Sequence, residues 1–267
     1  MPVGWTYSTI LRNLYTLGDY STDRTEGNVQ AALDWILKWQ TKEGYIPGPE
    51  TAAYAAPNSN GFALRDLVQF GMADDPRTKK IVKWLFSVQR HDGGWNIPYI
   101  QDVRYLPQYS HLKNREFRDL VESDERPSYD PDEYQHVPSC IWTTLMVLRG
   151  LYWDQSLKTC REARHAAEFV LDRFFKRNYH PSYHQSEGHW TKLKYPSFRG
   201  GGLVALEVLT NMGYGPEDER MDAPIKWLMS VRAKDGLWYR TDRPNPEKDQ
   251  WITELALSSL ARYADLY

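Results

Sequence analysis

Gln89-Arg90-His91-Asp92-Gly93-Gly94-Trp95 is a short run whose outline returns twice elsewhere in the chain. Taken back to Trp84-Leu85, it reads as an aromatic-apolar pair, three residues, Gln, three residues, Gly, one residue, Trp. On the same ruler, Trp35-Ile36 is followed by Gln40, Gly44 and Ile46, and Trp227-Leu228 by Arg232, Gly236 and Trp238. Each copy closes a segment with helical apolar periodicity, and its Gly can take the positive φ with which helices end. Gln89 and Gln40 offer donors and an acceptor for the terminal carbonyls or for a neighbouring helix, whereas Arg232 offers donors only. Trp95 and Trp238 are expected to fold back as rings over the junction.

Working outward, two kinds of helix alternate. Segments 28–40, 77–89, 161–175 and 221–232 form one series, three of them ending in the Gln/Gly/Trp-type turn. Segments 60–70, 140–152, 202–211 and 251–263 form the other, rich in small and apolar residues, and 6–15 adds a helix at the start. A unit of two helices cannot bury both faces alone, so alternation at this period predicts stacked helical hairpins. In the third unit Phe169-Val170 keeps the opening, Phe174 replaces the Gln, and the Gly-Trp ending is absent. No Gly/Ser-rich or Pro-rich linker divides the chain, which reads as one domain over 1–267 with a long insertion at about 96–137. The tyrosines of that insertion suit a lid or cavity rim, and a short helix is expected over 115–122.

The totals exclude several classes. The chain has 267 residues, 41% apolar and 14% aromatic, and 33 basic against 35 acidic residues give net charge −2. That balance gives no support to nucleic-acid binding. Cys140 and Cys160, the only cysteines, form no CxxC pair and suggest no disulfide scaffold. Met1-Pro2-Val3-Gly4-Trp5 lacks the pattern of a secretory signal, and no apolar run approaches the roughly 20 residues of a membrane span. A soluble cytoplasmic protein is the expectation.

The Trp84–Trp95 pattern resembles the QW repeat of the terpenoid cyclases and protein prenyltransferase beta subunits. With the other two copies, the resemblance extends from about residue 28 to the end of the chain. The stretches His189-Trp190-Thr191-Lys192-Leu193-Lys194-Tyr195-Pro196 and Gln250-Trp251-Ile252-Thr253 further resemble small bacterial squalene-cyclase-like or prenyltransferase-repeat proteins. The resemblance implies an all-α fold, an α/α toroid of helical hairpins with the small-residue series inside. Nine main helices against the family's twelve imply a reduced or incomplete ring, unless the insertion and 176–199 complete it. It also implies a central cavity, expected at the N-terminal turns of the inner helices, where free backbone amides collect.

Candidate site residues follow from this frame. Asp130-Pro131-Asp132-Glu133 is the nearest stretch to the family's DxDD acid motif, with Asp132 as the candidate proton donor. It departs from the motif in its final Glu and in lying ahead of the helix rather than opening it. The zinc pattern of protein prenyltransferases is also incomplete: Cys140 opens an inner helix, but Pro138 stands where an Asp is needed. His136 remains a candidate for acid–base work or, with Cys140 and Asp132, for a metal. His180, His184, His189 and Glu187 cluster without regular ligand spacing, and no metal or cofactor is assigned.

Trp142, Trp190, Lys192, Lys194, Arg199 and Trp251, with Cys140, are candidate ligand contacts at inner-helix entrances. The alternating lysines could reach an anionic group there. Glu254, one turn into the last helix, is the third candidate catalytic residue, with Arg199 as its expected partner. The reading is a cyclase- or prenyltransferase-like protein acting on an isoprenoid or other hydrophobic small molecule. A noncatalytic helical-repeat protein binding a lipid, peptide or protein partner is the alternative. Carbohydrate processing on a related α/α architecture is a third reading, supported by aromatic platforms and spare carboxylates.

Overall fold

The computed structural model describes residues 7–47, 54–178, 180, 187–195, 200–241 and 245–263. Within them the chain is all α-helical: α1 (Tyr7–Asp19), α2 (Val29–Leu37), α3 (Pro57–Gln69), α4 (Pro76–Ser87), α5 (Asn114–Glu122), α6 (Ile141–Leu151), α7 (Gln155–Thr159), α8 (Arg161–Leu171), α9 (Gly202–Asn211), α10 (Asp222–Ser230) and α11 (Pro246–Leu260). The last helix begins five residues before its expected start. Pro246 supplies a preset first helical residue, and Asn245 Oδ1 accepts from Lys248 N at 3.1 Å. α5 occupies the place expected for a helix inside the insertion, whereas α7 was not legible from periodicity.

The helices form two layers. α1, α3, α6, α9 and α11 pack in succession as an inner row, and α2, α4, α8 and α10 lie against them as outer helices. Burial marks the middle of the inner row: every residue of α6 and nine of the ten of α9 are buried, whereas α8 and α10, like the row's end helices α1 and α11, bury one face. α3 and α6 touch backbone to backbone. A Cβ on Gly61 would stand 2.6 Å from the Met146 carbonyl oxygen, and one on Gly150 would stand 2.6 Å from that of Gly61.

The repeated turn is a fastener with a fixed set of bonds. In all three copies the backbone N–H after the Gln or Arg reaches a carbonyl four residues on: Thr41 to Tyr45, Arg90 to Gly94 and Ala233 to Leu237. Gln40 Nε2 donates to Gly44 O at 2.8 Å and to Arg77 O of α4 at 2.7 Å. Gln89 Nε2 donates to Gly93 O and to Glu162 O of α8, both at 2.8 Å. Each Gln therefore ties its own turn to the first turn of the next outer helix. Among the described residues Arg232 bonds within its own turn, Nε to Gly236 O at 2.8 Å.

The ring at the end of the motif behaves as expected. Trp95 donates its indole N–H to Leu85 O and Trp238 to Leu228 O, each at 2.8 Å. The same residues dock by backbone onto the next inner helix, Trp95 N on Thr144 Oγ1 and Trp238 N on Thr253 Oγ1. Trp190 is the degenerate third unit's counterpart after a longer connection. It is fully buried, its indole donates to Lys176 O, and Gly202 N donates to its carbonyl.

The insertion packs as a second, smaller apolar cluster of Tyr99, Val103, Phe117, Val121, Tyr134 and Val137. It joins the main body through Arg90, whose Nη2 reaches the carbonyls of Tyr134 and Val137 and whose Nη1 lies 3.4 Å from Asp102 Oδ2. Buried polar groups at the start of α6 seal the junction. Asn96 Oδ1 accepts from Cys140 N at 2.7 Å, and Asn178 Oδ1 accepts from Ile141 N at 3.1 Å. No described helix is long and apolar enough to cross a membrane.

Candidate functional site

At the two ends of the inner row, Tyr20, just after α1, stands edge-on to Trp251 of α11, with ring centroids 4.8 Å apart. Between them opens a cavity of about 790 Å³. Its wall takes in the C-terminal ends of α1 (Asp19), α3 (Gln69, Phe70) and α6 (Tyr152, Trp153), the second half of α9 (Glu207, Asn211) and one side of α11. The sequence had directed attention to the opposite, N-terminal, ends of these helices. The charge logic is accordingly reversed, because C-terminal helix ends carry partial negative charge and favour cations.

Beneath the cavity lies a buried ionic network. Arg65 pairs with Asp19 and, at 3.4 Å, with Asp66. Arg149 Nη2 pairs with Glu207 Oε2 at 2.7 Å, and Tyr152 OH donates to Glu207 Oε1 at 2.6 Å. Both guanidinium groups face the ring of Tyr15, at 3.7 Å for Arg65 and 5.0 Å for Arg149. Burial pushes the Tyr15 hydroxyl up to about 12. Tyr195 OH donates to Asp19 Oδ2 at 2.7 Å. Burial and then the Asp19 carboxylate raise the Tyr195 pKa, while burial and then Glu207 raise that of Tyr152 far above its ordinary value. The Tyr152 and Tyr195 hydroxyls thus stay protonated and serve as fixed hydrogen-bond donors to Glu207 and Asp19.

Glu254 differs from those acids. It opens onto the cavity and has no hydrogen bond or ion pair among the described residues. Partial burial, followed by the charges of Glu207 and Asp19, raises its pKa above that of an ordinary glutamate. Beside it Trp251 lies flat on Tyr195, with ring centroids 5.2 Å apart and planes 10° apart. Trp153 stacks on Tyr152 at 5.1 Å and is 43% exposed. Aromatic faces beside placed polar groups and an unpaired acid are features of a small-molecule site.

Of the residues singled out in the sequence, Glu254 and Trp251 come together at this cavity. Arg199, the expected partner of Glu254, lies outside the described residues, as does His184. Asp132 is exposed on a 3₁₀ turn over Pro131–Tyr134, its backbone N–H bonded to Asp130 Oδ1, and His136 follows it exposed. Cys140 is fully buried, its thiol pKa raised by that burial, and its Sγ accepts from Asn178 Nδ2 at 3.4 Å. Trp142 and Trp190 are fully buried against each other at 4.7 Å, while Lys192 and Lys194 are exposed. None of these seven lines the cavity. Among the described residues no three His, Cys, Asp or Glu side chains gather where they could hold a metal ion.

Asp19, Arg65, Arg149, Tyr195 and Glu207 were missed from sequence. A signal was present for three of them. Arg149 and Glu207 are each the one charge in an otherwise uncharged, buried helix, and Arg65 adjoins Asp66 in a third; charges so placed must find buried partners.

No protein-family model matches the chain. A squalene–hopene cyclase from Bradyrhizobium diazoefficiens is 24% identical over 156 residues, which is 58% of this chain and 20% of that enzyme. The chain therefore spans about a fifth of the length of the curated relative it matches. A crystal structure of a protein from Actinoplanes aligns with TM-score 0.51 and 17% identity, across 95% of this chain and 63% of that one. That likeness is one of fold. The partial cyclase match points toward the terpenoid cyclase superfamily and no further.

Proposed function

We propose that this chain is a single-domain, terpenoid-cyclase- or prenyltransferase-like protein that takes a hydrophobic or isoprenoid small molecule into the cavity between its inner helices. One observation carries the reading: an unpaired carboxylic acid, Glu254, faces a cavity of about 790 Å³ whose wall includes Phe70, Tyr152, Trp153, Tyr195 and Trp251. The volume falls within the range of roughly 300–1,000 Å³ typical of ligand sites. Aromatic faces hold an extended apolar body, and Glu254 is the group there that is free to exchange a proton. The match to a squalene–hopene cyclase supports the same assignment at the level of the superfamily.

Binding without chemistry is the second reading. It is favoured by the engagement of Asp19 and Glu207, both locked in ion pairs with Arg65 and Arg149 and so withheld from acid–base work. One experiment separates the two. Titration with farnesol and geranylgeraniol, followed by tryptophan fluorescence, should give saturable quenching that weakens at least tenfold in Trp251→Leu. Gas chromatography of the same mixtures then shows whether the alcohol is converted and whether Glu254→Gln stops conversion while retaining binding. Wild-type protein that binds neither alcohol would refute the cavity assignment.

A further inference from the structure

We infer that the ligand of this cavity carries a positive charge, a protonated amine or quaternary ammonium group on an apolar body. The inference rests on the cavity assignment above and goes further, naming the polarity of the ligand's head. Three independent features of the wall agree on it. The inner helices α1, α3 and α6 all present their C-terminal ends, at Asp19, Phe70 and Tyr152, so their dipoles place partial negative charge on the same space. The described lining residues include four carboxylates, Asp19, Asp23, Glu207 and Glu254, against one base, Arg24. The aromatic faces of Trp153 and Trp251 stand in the same wall, and such faces attract cations through the ring quadrupole.

The buried arginines offset Asp19 and Glu207 from below, which leaves Glu254 as the uncompensated charge of the described wall. Arg65 and Arg149 are 1% and 3% exposed and are already engaged with Asp19, Asp66 and Glu207 from below. Glu254 has no such counter-charge among the described residues, and the charges of Glu207 and Asp19 contribute to raising its pKa, as expected of a site with surplus negative potential. A phosphate or diphosphate head would need several inward-facing donors of the Arg or Lys type, and among the described residues Arg24 alone lines the cavity. An ammonium head beside Glu254 with its apolar chain on Trp251 satisfies both halves of the wall.

The test uses three probes of equal chain length, each below its micelle concentration: dodecyltrimethylammonium, dodecanol and dodecyl phosphate. Isothermal titration with the full chain should rank the ammonium at least tenfold tighter than the alcohol, with the phosphate weakest. Glu254→Gln should bring the ammonium to within about threefold of the alcohol when both are measured on that variant. As a check independent of that variant, ammonium affinity for the wild type should fall as pH is lowered through the carboxylate range. Phosphate binding as tight as ammonium, ammonium no tighter than alcohol, or ammonium affinity flat from pH 7 to 4 would each overturn the inference. In those cases a bound alcohol still leaves the cavity assignment standing, whereas failure of all three probes removes both.

Discussion

Gly93 and Gly236 occupy the same place in the repeated turn, with φ of +89° and +88°, yet they face different surroundings. A Cβ on Gly93 would lie 2.6 Å from the carbonyl oxygen of His165 in α8, which is fixed backbone. On Gly236 it would meet the tip of Arg232 at 2.9 Å, a flexible end that can swing away. Positive φ costs about 1 kcal/mol in either case, and a backbone clash adds roughly 1–3 kcal/mol. Gly93→Ala should therefore lose about 2–4 kcal/mol in urea unfolding and Gly236→Ala about 1 kcal/mol. Equal losses would show that the turn does not seat against the next outer helix. His180 offers a second test at this scale. It is fully buried with Nε2 at 3.2 Å from both Pro138 O and Asn96 Oδ1, and burial holds its pKa down at about 4. The unfolded chain, with a His pKa near 6.5, binds the extra proton between those two values. Stability contributed by the neutral imidazole is present above pH 6.5 and is lost as pH falls toward 4, by at most about 3 kcal/mol. Thermal melts from pH 7 to 4 should fall more steeply for the wild type than for His180→Asn.

At the scale of elements, the α3–α6 contact is the tightest joint in the inner row. Gly61 and Gly150 let the two backbones meet, since a Cβ on Gly61 would come within 2.7 Å of the Val147 Cα as well as the Met146 carbonyl. Helix propensity alone would make Gly61→Ala stabilising by up to about 1 kcal/mol, so propensity and packing predict opposite signs. Packing should win, with a loss of about 1–3 kcal/mol by chemical denaturation. A gain would mean that the helices can slide apart freely. This joint also marks the limit of what was legible in the sequence. Periodicity and the fixed spacing of Gln40, Gln89 and Arg232 reveal the helices and their alternation, because both are local. The replacement of Gln by Arg at 232 gave warning that the last turn caps differently, and among the described residues its bond stays within that turn. The cavity was harder to place. Which end of the inner helices opens depends on how the insertion packs through Arg90 and how Tyr20 meets Trp251, contacts between residues far apart in the chain. Glu254 and Trp251 were singled out at the entrance of a helix expected to start at 251, yet the helix starts at Pro246 and carries both in its middle, while Arg149 and Glu207 required knowing that α6 and α9 adjoin.

For the whole molecule the decisive question is how firmly the insertion is coupled to the helical body, and Arg90 is the side chain on which that coupling turns. It is 6% exposed, lies 3.4 Å from the buried Asp102 and spans to the carbonyls of Tyr134 and Val137. Asp102 is further held by Tyr129 OH at 2.7 Å and Asn96 Nδ2 at 2.8 Å. Burial already raises the Asp102 pKa against the opposing pull of Arg90. Arg90→Met keeps the apolar stem but strands that carboxylate, a change that costs roughly 3–5 kcal/mol when a buried pair is broken. The body has its own continuous core, from Leu14 through Leu85 and Leu145 to Ile252, which the substitution does not touch. The loss should therefore fall on the smaller cluster around Val103, Phe117 and Val121, as local opening rather than global unfolding. Limited proteolysis of Arg90→Met should cut first between residues 104 and 126, with hydrogen exchange accelerated there and unchanged in α6 and α9. Exchange that rises equally in α6 and α9 would instead make the insertion part of one cooperative unit. The helical body would then depend on it for stability, and any cavity lying between its inner helices would be shaped as much by the insertion as by the repeats.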